Sequence, residues 1–262
     1  MKSKRISGIL KKADGIWGII VKRMASKEVL FEHNADLLFP AASVGKVSIA
    51  LYVLHLADTG RIKLDRKLEI KKKHYASGSG VLQYFTSNTQ LSVKDLGILM
   101  LTISDNTAAK VLVDTYGAKN INSYLRTLGF KKTKLGIRGH AFDFGTTTPK
   151  EMATMLEGIY LNKYLRPKSS QMLIEIMKRC QNDLALRRYL PRKGYGASIT
   201  VQVAHKTGAL DKVRNDVGIV FSKHPYVISV FAKNQKDISY GPQNKAVLTI
   251  AELSREAFRE LK

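Results

Sequence analysis

Two short apolar-rich runs stand near the start of the chain, Gly15 to Lys22 and Val29 to Asn34. The polar segment Arg23 to Glu28 between them predicts a hairpin-like pair of strands. From Ala42 the period lengthens: Val47, Ile49, Ala50, Val53, Leu54 and Ala57 fit a buried helix that stops at Thr59-Gly60, where glycine takes a left-handed cap. Ser43 then falls at or near a helix N-terminus. Ser92 with Asp95 gives a cap-like start to a helix over Val93 to Ile103, and Gly117 and Gly129 punctuate two further helices. Thr148-Pro149-Lys150-Glu151 has the form of a capping box with proline at the first helical position. After Gly194-Tyr195-Gly196 three runs rich in Val and Ile predict strands, Ile199 to Thr207, Asp216 to Ser222 and Tyr226 to Ala232. Pro242 to Leu261 predicts a final amphipathic helix with Ala246, Val247, Ile250, Leu253 and Phe258 on one side.

Strands at both ends around a helical middle predict an α/β fold of the α+β kind. Its antiparallel sheet is built from both termini and flanked by helices, and an all-helical lobe is inserted. The expected division is a sheet lobe from 1–42 and 190–262, a helical lobe over 43–189, and an active site between them. At 262 residues, 44% of them hydrophobic, the chain can bury a sizeable core.

Charge changes this picture less than its size suggests. The net charge is +23, which raises nucleic acid, anionic membrane and acidic surface polymers as partners. Lys and Arg are spread along the chain, as in Lys71-Lys72-Lys73, Lys131-Lys132 and Arg187-Arg188, with no zinc-finger pattern, basic helical stripe or RNA-binding aromatic signature. Nucleic acid is therefore not expected, while a solvated surface and an anionic cell-wall polymer both remain open. A single cysteine, Cys180, excludes an internal disulfide and a Cys-rich metal site, and its apolar surroundings (Leu173, Ile176, Met177) read as core. The basic start, Met1 to Lys12, is followed by too broken an apolar run for a signal peptide, and no stretch approaches a transmembrane span. Read literally, the chain is cytoplasmic; a mature or truncated form would be secreted or held in the cell envelope. A monomer is expected, with no metal and no cofactor.

Three short motifs carry the candidate chemistry. Ser43-Val44-Gly45-Lys46 places a hydroxyl and an amine on one helical face, and a desolvated lysine near other cations can be neutral enough to take the serine proton. Ser104-Asp105-Asn106 supplies a second hydroxyl that could relay a proton and an amide that could hold a substrate carbonyl. Lys206-Thr207-Gly208 ends a strand; its lysine and threonine can hold a carboxylate, and its glycine leaves room for a substrate backbone. Each alone also reads structurally, as a helix cap or an ordinary strand end. In this order, each on the element its chemistry needs, they resemble the set that marks class A β-lactamases and penicillin-binding proteins.

The resemblance extends through Phe39-Pro40-Ala41-Ala42-Ser43, Gly78-Ser79-Gly80-Val81-Leu82, Leu91 to Leu96, Ser104 to Ala108, Thr146-Thr147-Thr148-Pro149 and Gly218-Ile219-Val220, so it covers nearly the whole chain. It implies a class A β-lactamase-like serine hydrolase. By that likeness Ser43 is the acylated nucleophile, Lys46 the base, Ser104 a proton shuttle and Asn106 a contact to the substrate amide. Lys206 and Thr207 hold the substrate carboxylate, Gly208 and Ala209 line the binding strand, and the backbone N–H groups of Ser43 and Ala209 form the oxyanion hole.

Two departures qualify it. Relatives carry a glutamate, followed by an asparagine, in the loop before the Thr-Thr-x-Pro element; here Lys134 to Gly145 contains neither. Asp143 is its only acid and the candidate for a deacylation role, against its reading as a turn acid. His140 is a second candidate base, against its reading as a solvated loop histidine. The second departure is that the basic residue which helps many relatives bind the carboxylate has no clear counterpart. Arg214, in a predicted turn with Asn215 and Asp216, is a nearby candidate for it, against its favoured reading as a surface turn residue. The implied function is β-lactamase activity weakened by slow deacylation. A penicillin-binding D,D-peptidase or esterase-like enzyme trapped by β-lactams is the alternative, and a non-catalytic module that binds an envelope polymer is a third reading.

Overall fold

The computed structural model describes residues 3–24, 26, 28–138, 141–194 and 200–261. The chain opens with helix α1 (Lys4–Lys12), which the charge-based reading of this segment did not foresee; Ser3 caps it by accepting from the Ile6 N–H at 3.2 Å. Strands β1 (Ile16–Arg23), β2 (Val29–His33) and the short β3 (Phe39–Pro40) lead into a 3-10 turn, Ala42–Gly45, that runs directly into α2 (Lys46–Asp58). Next come β4 (Lys67–Glu69), β5 (Gln90–Ser92) and three consecutive helices, α3 (Val93–Thr102), α4 (Asn106–Tyr116) and α5 (Ala118–Thr127). Strands β6 (Lys134–Arg138) and β7 (Ala141–Thr147) form a hairpin before α6 (Pro149–Tyr160) and α7 (Pro167–Lys178). The chain ends with β8 (Gln202–Leu210), β9 (Val213–Phe221), β10 (Tyr226–Lys233) and α8 (Lys245–Glu260).

The main sheet has the order β2-β1-β10-β9-β8, with every described pairing antiparallel, so strands from both ends of the sequence share one ladder. One face packs with α1 and α8 through Ile6, Trp17, Ile228, Ile250, Leu253 and Phe258. The other buries Val217, Ile219, Val227 and Phe231 with residues of α2 and α6. Burial on both faces explains why these strands read as Val- and Ile-rich runs rather than strict alternations.

The inserted segment is not all-helical, which corrects the expectation: β4 pairs with β5, and β3, β7 and β6 form a second small sheet. Lys134 to Gly145 looked like an open loop because its Gly and Lys content masks the alternation of Phe142, Asp143 and Phe144 along an extended strand. The helix starts follow local chemistry. Thr148 caps α6 by accepting from the Glu151 N–H, but the Glu151 carboxylate reaches back to the N–H groups of Lys131, Lys132 and Thr133, locking α6 to the segment that leads into the hairpin instead of closing a capping box. Residues His140, Tyr195, Gly196 and Ile199 lie outside the described residues.

Candidate active site

Ser43 sits in the 3-10 turn before α2, one residue after Ala42, whose φ of 48° is left-handed and uncommon for a residue with a Cβ. Ser104, between α3 and α4, holds φ 59°. Two such conformations beside the candidate reacting hydroxyls place local backbone strain at the chemistry.

These turns converge on Lys46, which is fully buried. Its Nζ lies 3.2 Å from Ser43 Oγ and 3.0 Å from Ser104 Oγ, and 2.6 Å from both the Ser104 carbonyl oxygen and Asn106 Oδ1. The last two can only accept, so they take two N–H groups; the hydroxyls can also donate. A neutral amine has two N–H groups and one lone pair, and this surround suits it: two obligate acceptors and hydroxyls toward which the lone pair can turn. Burial, and then the nearby Lys206 cation, push the Lys46 amine well below its usual range; Asp105 pulls the other way. Phe144 of β7 places its ring 4.7 Å from Nζ and closes that side of the amine.

Each neighbour has a structural reason to be there. Asp105 caps α4 by accepting from the Ala108 N–H, while its other oxygen accepts from the N–H groups of Val81 and Leu82 at 2.7 and 2.9 Å. That contact pulls the Gly78–Leu82 segment over the cleft. Gly80, at φ 103°, has no room there for a Cβ, which would stand 2.3 Å from the Asp105 carboxylate. Asn106 donates to the Ser77 carbonyl at 2.7 Å, leaving its second amide hydrogen for another acceptor.

On the opposite wall Lys206 is also fully buried and donates to the Thr207 carbonyl at 2.8 Å. A Cβ on Gly208 would stand 3.0–3.1 Å from Ala41 O, Val44 N and Ser43 N, so strand β8 passes almost in contact with the Ser43 turn. Asn215 of β9 fixes this approach from behind by donating to the carbonyls of Pro40 and Ala41 at 2.9 and 3.1 Å. The resulting cleft, about 580 Å³, is lined by Ser43, Ser79, Ser104, Lys206 to Ala209 and the segment from Cys180 to Ala185.

Asp143 is half-buried on β7, beside its β6 partner Gly136. Its Oδ1 accepts from the Gly145 N–H at 2.6 Å, while the next residue, Phe144, is the one whose ring meets Lys46. Arg214 is a second correction: it is not a surface turn residue but 3% exposed, on β9 opposite Ala209. Its guanidinium donates to the carbonyls of Leu210, Val213, Ile238 and Ser239 and lies 4.6 Å from the Tyr240 ring centroid. Among the described residues no His, Cys, Asp and Glu cluster suits a metal ion, and no helix is long and apolar enough to cross a membrane.

Phe144, Asn215 and the buried His205 escaped the sequence reading. A polar or charged residue inside a Val-rich strand, as at His205 and Asn215, was the available signal.

The model of the β-lactamase enzyme family matches residues 2–261. The chain belongs to this family. It is a class A β-lactamase-like serine hydrolase with the family's mixed α/β fold. The β-lactamase BRO-1 of Moraxella catarrhalis is 27% identical over 236 residues, covering 82% of this chain and 73% of that one. A β-lactamase structure from Sphaerobacter thermophilus superposes with a TM-score of 0.85 at 26% identity, covering 97% of this chain and 95% of the other. A mutant of PBP-A, solved as its acyl-enzyme complex with penicillin G, gives 0.83 at 26% identity over 98% of this chain and 95% of that one.

Proposed function

We propose that β-lactams acylate Ser43 and that the acyl-enzyme is then hydrolysed slowly. Ser43 Oγ adds to the lactam carbonyl carbon as its proton passes to Lys46; the ring C–N bond breaks, Ser104 delivers a proton to the leaving nitrogen, and Lys46 returns one to Ser104. Lys206 and Thr207 hold the substrate carboxylate, the second amide hydrogen of Asn106 meets the substrate carbonyl, and the N–H groups of Ser43 and Ala209 receive the oxyanion. The observation that carries this reading is the set of oxygens around Lys46 Nζ, with Ser43 Oγ at 3.2 Å and Ser104 Oγ at 3.0 Å. Slow release follows from β7: the residue turned toward Lys46 is Phe144, not an acid, and a missing general base costs roughly 10²–10⁴ in rate.

A second reading, a penicillin-trapped peptidase or esterase, is favoured by the same aromatic face and by the likeness to PBP-A captured as an acyl-enzyme. The protein acts as a monomer in either reading, and its charge of +23 supports an anionic cell-wall polymer as a further partner. Intact-mass spectrometry with excess penicillin tests the proposal, with Ser43→Ala as control. An adduct that clears while hydrolysed penicillin accumulates supports it, a permanent adduct transfers support to the second reading, and the absence of any adduct overturns both.

A further inference from the structure

Behind Lys206, on the opposite face of β8, the imidazole of His205 is fully enclosed. Its Nδ1 lies 3.0 and 3.1 Å from the two carboxylate oxygens of Asp216 on β9, and its Nε2 lies 3.8 Å from Asp183 Oδ1 without forming a hydrogen bond. The ring has this space because its cross-strand partner is Gly218, where a Cβ would stand 2.7 Å from the His205 Cβ.

Residues 180–186 cross the edge of the sheet at this point. At one end the Gln181 N–H donates to the carbonyl of Thr102, the last residue of α3 and close in sequence to Ser104, at 2.9 Å. At the other, the Leu186 N–H donates to Asp216 Oδ2 at 3.0 Å. Between them, Cys180 to Ala185 line the cleft. The segment is a strap joining the wall that carries Ser104 to the strands that carry Lys206 and Thr207.

We propose that His205 is a positioning residue for substrate-carboxylate binding: by bridging Asp216 and Asp183 it clamps this strap to the sheet edge and sets the separation of Ser104 from Lys206 and Thr207. Burial opposes a charge on the ring, but Asp216, Cys180 and Asp183 together outweigh it and hold its pKa well above the ordinary histidine range. The cations around the cluster are Lys206, next in the strand, and Arg187 and Arg192, each 3.2 Å from an Asp183 oxygen. As pH rises through the raised value the imidazole becomes neutral and both carboxylates lose its charge. Asp183, on the cleft wall, then repels an anionic substrate while the strap loosens.

The inference rests on penicillin occupying this cleft, so one readout is independent of any adduct: NMR titration of the His205 ring, assigned by comparison with His205→Asn. The second is stopped-flow acylation by benzylpenicillin between about pH 6 and 10, separating the dissociation constant from the acylation rate constant. The dissociation constant is expected to rise about fivefold or more along an alkaline limb that tracks the His205 titration, with the rate constant changing less. His205→Asn keeps one donor to Asp216 but no charge, and it should lose the limb. Asp183→Asn, at a partly exposed position, should move the ring titration to lower pH and flatten the limb. A His205 that titrates below about pH 7, or a limb unmoved in the variants, overturns the proposal. If His205→Asn does not fold, the change of the alkaline limb in Asp183→Asn, which needs no assignment, decides alone.

Discussion

Lys46 meets two pure acceptors, which take the two N–H groups of a neutral amine, and two hydroxyls that can donate to its lone pair. A base acts only when deprotonated, and burial with Lys206 nearby lowers the pKa of this amine. The rate of Ser43 acylation should therefore rise with pH through that lowered value, and Lys46→Ala should remove the limb and cost about 10²–10⁴ in rate, read by stopped-flow with a chromogenic cephalosporin. His205 bears on stability with the opposite sign. Its folded pKa is raised above 6.5, so its pairing contributes fully below 6.5 and is lost as pH rises through the folded value. Thermal melts should show the melting temperature falling along that alkaline window, and the fall should be smaller in His205→Asn.

Strand β7 illustrates what an element adds to its residues. Asp143 and Phe144 are adjacent, and only the folded hairpin decides that the Phe144 ring meets Lys46 while the Asp143 carboxylate accepts from the Gly145 N–H. Phe144→Glu should put an acid on the face toward Lys46 and shorten the lifetime of the penicillin adduct tenfold or more, seen as faster loss of the adduct mass. A longer-lived adduct would show that this face is not where water is activated. At α8 the fully buried Asn244 accepts from the N–H groups of Ala246 and Val247, both at 3.1 Å, and donates to the carbonyls of Asp237 and Ser239. Asn244→Ala removes the cap at a cost of about 1–2 kcal/mol, which calorimetry should register as a drop of roughly 2–8 °C in melting temperature.

Over the whole molecule, a charge of +23 surrounds a cleft that holds the buried Lys206, so anionic substrates enter a favourable field. Raising ionic strength from about 0.02 to 0.5 M shortens the screening length. Acylation efficiency with penicillin should fall several-fold, while an uncharged ester should change little; equal responses would show that the field plays no part in substrate capture. What the sequence determined by itself was local. Hydrophobic period marked the strands and most helices, the three motifs named Ser43, Lys46, Ser104, Asn106 and Lys206, and the missing glutamate between Lys134 and Gly145 was plain without coordinates. The tertiary structure decided which of these groups meet. Whether Lys46 is dry, which face of β7 it sees, and whether Asp143 or Arg214 reaches the cleft depend on contacts between residues far apart in the chain. The buried clamp of His205, Asp216 and the strap is of the same kind. A one-residue shift of register reverses every side chain of a strand, and short-range pattern carries no record of that choice.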